Sequence, residues 1–275
     1  MQSQTDTDIY LYDLKVNGNE ITLSNPKNIT NKRGYDNQPS FSPDGKSIYF
    51  SSFDKDKRSD IWAYHLQSGK KEQISHTKVR EYSPTPVPGG EYLSFIAQYE
   101  DGKQNLERIH LLGGQREVLV DDLTVGYHTW IDNENLLLFV LGEPRHFLYH
   151  YNVKTKKNQI IANNIGRALH RIPNSNSLSF IKKIDSEHWQ IRQFNNRTKG
   201  MSTIANTLKG REDLAWTNNG IILMGDGNKI FALDTKLDSG KWKEIKIFGN
   251  QDFLKNISRI AINKDNSKLA VVVAE

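Results

Sequence analysis

Six short segments of the 275-residue chain carry the side chains best suited to recognition chemistry. They read Arg33-Gly34-Tyr35-Asp36-Asn37-Gln38, Arg80-Glu81-Tyr82-Ser83, Val125-Gly126-Tyr127-His128, Gly166-Arg167-Ala168-Leu169-His170, Gly210-Arg211-Glu212-Asp213 and Lys255-Asn256-Ile257-Ser258-Arg259. Arginine occurs in five of the six and tyrosine in three, with carboxylates and imidazoles among them. A guanidinium fork matches a carboxylate or phosphate, and tyrosine offers a flat apolar ring with a polar tip. The candidate ligand-binding residues are therefore Arg33, Tyr35, Asp36, Arg80, Glu81, Tyr82, Tyr127, His128, Arg167, His170, Arg211, Glu212 and Asp213, for an anionic or sugar-like group or a peptide carboxylate. Two other uses of the same positions stay open. Arg–Glu and Arg–Asp pairs can simply neutralise one another, or Gln38, His128, His170 and Asp213 can hold a metal, which requires at least three of them within about 2.0–2.6 Å of one ion.

Other constellations carry less chemistry. Gly-x-Ser-x-Gly, His-Glu-x-x-His and a complete phosphate loop are absent, and Gly45-Lys46-Ser47 lacks the upstream glycine, Ser40 standing in its place. His146 and His150 lie four residues apart, roughly 13 Å along a strand, too far to share a metal. Asp54, Asp56 and Asp60 faintly resemble a calcium loop but lack its glycine and distal glutamate. Trp62, Trp130, Trp189, Trp216 and Trp242 fall mostly at strand positions where large residues fill a core.

The elements that must position these segments repeat. The clearest unit runs Pro39-Ser40-Phe41-Ser42-Pro43-Asp44-Gly45-Lys46-Ser47-Ile48-Tyr49-Phe50, a hairpin about a Pro-Asp-Gly turn, followed by alternating Asp60–Leu66 and a short fourth strand near Glu72–Ser75. Turns recur at Pro88-Gly89-Gly90, Asp132-Asn133-Glu134, Pro173-Asn174-Ser175, Asn218-Asn219-Gly220 and Lys264-Asp265-Asn266. Phe41 then aligns with Pro86, Trp130, Arg171, Trp216 and Ile262, at spacings of 45, 44, 41, 45 and 46 residues. That is the period of a four-stranded propeller blade, and six first strands predict an all-β, six-bladed β-propeller.

The expected organisation is a single domain over 1–275, with blades at about 37–82, 83–126, 127–167, 168–212 and 213–256, and a last blade at 257–275 completed by 6–31. The last unit holds only two strands, and the chain opens with two unpartnered ones, Asp8–Leu14 and Lys27–Thr30. Pairing them removes the open edge between blades. In such a ring each first strand lines the channel, so the six recognition segments gather on one face.

Phe41-Ser42-Pro43-Asp44-Gly45-Lys46, followed by Ile48-Tyr49-Phe50 and Asp60-Ile61-Trp62, resembles the TolB-type, WD-repeat-like propeller motif. The resemblance covers the whole chain in architecture and one blade in letters. It implies a non-catalytic binding scaffold of the bacterial cell envelope that recognises a protein, peptide or small anionic ligand at the channel face. Relatives of known role carry additional domains, an α/β domain beside the propeller of TolB, which binds a peptidoglycan-associated lipoprotein, and a hydrolase domain in prolyl peptidases. The 275 residues leave room for neither. The alternative is a metal-dependent propeller enzyme acting on a carbohydrate or lactone.

Composition narrows the classes further. There is no cysteine, hence no disulfide or thiolate chemistry, and no apolar run near the roughly 20 residues of a membrane span. A net charge of +5 is dispersed over interspersed basic and acidic residues, which argues against a nucleic-acid footprint. The expectation is a monomer without cofactor, its signal peptide removed and replaced by Met1, placing it in the periplasm or another extracytoplasmic compartment.

Overall fold

A computed structural model of the chain describes residues 5–56, 58–237 and 240–275. Residues 1–4, on which the expected leader bears, and Lys57 of the Asp-rich loop lie outside them. Every described regular element is a strand. The chain opens with β1 (Thr7–Asn17) and β2 (Glu20–Asn28). Five groups of strands follow: β3 (Asp36–Phe41), β4 (Ser47–Phe53), β5 (Ser59–His65) and β6 (Lys71–Gln73); β7 (Arg80–Pro86), β8 (Tyr92–Gln98), β9 (Gln104–His110) and β10 (Glu117–Val120); β11 (Val125–Trp130), β12 (Asn135–Val140), β13 (Phe147–Asn152) and β14 (Asn158–Asn163); β15 (Ile165–Arg171), β16 (Ser177–Lys183), β17 (Trp189–Asn195) and β18 (Met201–Asn206); and β19 (Ala215–Trp216), β20 (Ile221–Asp226), β21 (Lys229–Asp234) and β22 (Lys243–Glu244). Last come β23 (Lys246–Ile247), β24 (Arg259–Ile262) and β25 (Lys268–Ala274).

Each group of four forms one antiparallel sheet in sequence order, as hairpin connections dictate. The remaining sheet has the order β23-β2-β1-β25-β24, so both ends of the chain share it. Thr7 through Asp13 pair residue by residue with Ala274 through Lys268, and the run Leu269–Val273 is buried on both faces. The expected junction of N- and C-terminal strands is therefore present.

Residues 243–247 do not continue as one fourth strand. Lys243–Glu244 pair with β21, after which the chain turns Ile245 into the core and Lys246–Ile247 join β2 in parallel. The terminal sheet thereby gains a fifth strand and keeps its β2 edge covered.

The chain divides into two compact units, 5–78 with 213–275, and 79–212, each holding three of the sheets. In the first, Ile9, Leu11, Ile48, Phe50 and Val272 form one apolar cluster, and Leu23, Leu223, Ile230 and Val271 belong to another. In the second, Ile96, Leu106, Leu138 and Tyr151 fill the space between the β7–β10 and β11–β14 sheets, while Phe139, Leu148, Phe180 and Phe194 fill that between β11–β14 and β15–β18. These sheets are buried on both faces, and their central strands accordingly read as continuous apolar runs such as Leu136–Val140.

Candidate functional site

In four of the five four-stranded groups the first strand starts at the predicted recognition residues and then breaks register; β19 follows its segment and keeps register. The pairing shifts between Asn37 and Ser40 in β3, Tyr82 and Thr85 in β7, Val125 and Tyr127 in β11, and Ile165 and Leu169 in β15. At equivalent positions Gln38 and Ser83 have φ of 57° and 55°, a left-handed backbone that costs a non-glycine residue energy and is held only by its surroundings. At Gln38 the fixing is local: its N–H donates to Asn37 Oδ1 at 2.8 Å and its side-chain oxygen accepts from Ser51 Oγ at 2.9 Å. Bulges of this kind re-aim side chains beside functional surfaces.

Five residues before the Phe41 alignment position, two of these strands carry a buried carboxylate. In the unit holding β3 it is Asp36, fully buried opposite Ser52, which in turn faces Asp60 on β5. Neither Asp36 carboxylate oxygen completes a hydrogen bond among the described residues. Burial pushes its pKa up to about 6, with the Ser52 hydroxyl and the Lys32 and Lys71 ammonium groups opposing the shift and Asp8 adding to it. Tyr35 beside it is buried against Phe53, ring centroids 4.8 Å apart, while Arg33 is exposed. In the same unit Asp213 is held by Arg259 at 3.4 Å.

In the other unit the equivalent residue of β7 is Glu81, also fully buried, but paired: Arg116 lies 3.3 Å from its Oε1 and 3.3 Å from Oε2 of buried Glu107. Tyr99 donates its hydroxyl to Glu107 Oε1 at 2.5 Å. In β15 the equivalent position is Gly166, and a carboxylate still arrives there. Glu212 Oε2 lies 2.6 Å from where a Cβ on Gly166 would be, accepting from the Arg167 N–H at 3.1 Å and facing the Lys183 ammonium at 3.2 Å. Lys183 also sits 4.1 Å over the Trp189 ring. Arg80, Tyr82 and His170 are half-buried at the same strand starts, and Tyr127 meets Phe139 edge-on at 5.5 Å.

His128 points elsewhere. Its Nε2 is 2.7 Å from Ser94 Oγ, whose hydroxyl donates to Thr85 O and accepts from Trp130 Nε1. With the serine proton committed, the imidazole must be the Nε2–H donor. Burial alone lowers its pKa from 6.5 to about 3, so the ring stays neutral. It ties β11 to β7 and β8 from inside.

Asp54 of the Asp-rich loop closes that loop itself: its carboxylate accepts from the Asp56 and Arg58 N–H groups and from the Arg58 guanidinium, all at 2.8–2.9 Å. Among the described residues no three His, Cys, Asp or Glu side chains gather to hold a metal. Arg116, Glu107, Lys183 and Ser51 lie outside the recognition segments. Glu107 did carry a signal, a charged residue inside the buried run Asn105–Glu107, which demands a counter-charge.

Blades of four antiparallel strands, a final blade built from both chain ends and recurring bulged first strands define a six-bladed β-propeller. Residues 1–171 match the TolB beta propeller domain, and the chain belongs to that family. Over 100 residues, 34% of the chain, it is 31% identical to an uncharacterised protein of Agrobacterium fabrum, and it spans about a third, 34%, of that relative's length. Among solved structures, a putative TolB from Agrobacterium tumefaciens matches over 99% of both chains with a TM-score of 0.74 at 13% identity. A chain of a nidogen/laminin complex matches with a TM-score of 0.65 at 14% identity, over 87% of this chain and 93% of that one. An oligogalacturonate lyase of Vibrio parahaemolyticus gives 0.54 at 12% identity over 98% of each. At such identities the likeness is one of fold.

Proposed function

We propose that this chain, as a single propeller domain of the bacterial cell envelope, is a non-catalytic recognition module that binds a protein or peptide, or a small anionic group on one, through the starts of its first strands. The observation that carries this reading is the Arg167–Glu212–Lys183 group: one carboxylate held against two cations, partly exposed, on a strand whose bulge fixes the backbone. Such a group keeps a net positive charge in a rigid frame, which suits a carboxylate-bearing partner. The nidogen/laminin assembly supports the reading at the level of fold, since there a similar propeller-like chain takes part in a protein complex. In this reading the protein acts in an extracytoplasmic compartment as a monomer. No helix among the described residues is long and apolar enough to cross a membrane.

The lyase likeness keeps an enzymatic use of the same face as the competing reading. A pull-down from envelope extract decides between them. Wild type should retain a protein partner that the Arg80→Ala, Arg167→Ala, Arg211→Ala variant loses. Equal recovery by both, together with metal-dependent turnover of an acidic oligosaccharide by the wild type, would sink the recognition reading.

A further inference from the structure

Three cations gather at the seam between the β11–β14 and β15–β18 sheets, on the face of β16 opposite that of Lys183, its neighbour in the recognition group. On β16 and β17, Lys182 faces Gln190 and Phe180 faces Arg192, so Lys182 and Arg192 are diagonal neighbours on one face. Leu178 and Phe180 of that face are buried against Phe139 and Leu148 of the adjoining sheet. The β12–β13 connection places exposed Arg145 two residues before Phe147, which pairs with Asn163, the residue that accepts from the Lys182 ammonium. Asn163 borders the group, its backbone and side-chain oxygens accepting from the Lys182 ammonium at 2.6 and 3.0 Å.

Among the described residues none of the three cations is in an ion pair, and Arg192 Nε is shut from solvent without an acceptor. Desolvation, and then the positive charges of Arg192 and Arg145, lower the Lys182 pKa. Elsewhere in this unit buried charge is met by opposite charge, as Arg116 meets Glu81 and Glu107. A single carboxylate has one charge for three cations. A phosphoryl group carries up to two charges and three oxygens, enough for two guanidinium forks and an ammonium.

We propose that the Arg145–Lys182–Arg192 seam is a binding site for a doubly charged phosphoryl group. The site does not depend on the recognition reading, because it shares no residue with the Arg80, Arg167 and Arg211 set. Calorimetric titration of the full chain with inorganic phosphate at pH 7.5 and low salt tests it. Wild type should give saturable one-to-one binding, weakened at least tenfold by Lys182→Gln and by Arg145→Gln, the latter on an exposed loop where the fold is not at stake. Lys209→Gln, which removes an exposed cation paired to Glu187, should leave binding unchanged, as should the triple arginine variant that abolishes partner capture. Sedimentation with vesicles containing phosphatidic acid separates the sources: co-sedimentation lost in Lys182→Gln assigns a lipid headgroup, and phosphate binding without co-sedimentation assigns a soluble ester. Absence of saturable phosphate binding by wild type, or an equal loss in Lys209→Gln, overturns the proposal.

Discussion

Asp36 and Glu81 occupy the same place in two successive repeats, five residues before the aligned Phe41 and Pro86, and both are fully buried. Their circumstances differ in one respect. Glu81 has Arg116, which arrives from the segment before β10 and also serves Glu107. Among the described residues Asp36 has only the hydroxyl of Ser52 opposite and two lysines whose ammonium groups are engaged with the backbone carbonyls of Phe53 and Thr30. The repeat thus fixes where a carboxylate goes, while the partner that decides its charge comes from outside the repeated hairpin. The Gly166 position extends the lesson, since its own side chain is missing and Glu212 fills the space.

The sharpest way to break this contrast is to make Glu81 resemble Asp36. Arg116→Ala leaves two buried carboxylates without their cation and should cost about 3–5 kcal/mol of stability. Urea denaturation at pH 7.5 measures it, and a loss below about 1 kcal/mol would show that the guanidinium is not what holds the pair.

Asp36→Asn acts in the opposite direction. The carboxyl ionises near 3.8 in the unfolded chain and near 6 in the folded one, so between those values the folded form holds more protons. Stability from this group therefore falls as pH rises through that window, and the full cost, roughly 3 kcal/mol, is present above pH 6. The variant should gain about 2–3 kcal/mol at pH 7.5 and nothing at pH 3.5. A variant as unstable as wild type at pH 7.5 would mean that Asp36 is already satisfied.

At β11 the equivalent residue is apolar Val125, and polar contacts between the sheets pass to His128 and Ser94. Ser94→Ala deprives the Trp130 and His128 N–H groups of their acceptor and should cost about 2 kcal/mol. His128 adds a slope of the opposite sign to that of Asp36. Protonated below 6.5 when unfolded but only near 3 when folded, it makes the protein lose stability as pH falls through that range. His128→Gln should flatten this acid limb in a pH series of melting temperatures.

Gly166→Ala is the mildest test. The added Cβ would meet Glu212 Oε2 at 2.6 Å and Ile181 at 3.0 Å, displacing the carboxylate from Arg167 and Lys183 at a cost of about 1–2 kcal/mol. Weaker capture of the envelope partner should accompany it, read by the same pull-down as the triple arginine variant.

These contrasts also mark what was legible in the sequence. The blades could be counted because hairpin turns require Gly, Asn, Asp and Pro at fixed offsets, and those residues survive where other letters do not. The terminal sheet followed from strands left without neighbours. The break at Ile245 was not visible, because a two-residue parallel pairing such as Lys246–Ile247 with Thr22–Leu23 has no periodicity to read. The sequence points to Glu81, Arg167 and Glu212 beside the strand starts, but Arg116 and Lys183, which meet Glu81 and Glu212, lie on other strands or connections, where only the folded register brings them near. The left-handed backbone at Gln38 and Ser83 leaves no mark in the sequence, because neither is a residue type that favours that conformation.

The difference between the two repeats shows most directly in the ionisation of Asp36. Carbon-detected NMR titration of the aspartate carboxyl resonances, assigned by comparison with Asp36→Asn, should show Asp36 titrating with a midpoint near 6 in the folded protein. A midpoint at or below 4 would show that this buried carboxylate has a partner as effective as Arg116 and would remove the distinction between the two repeats.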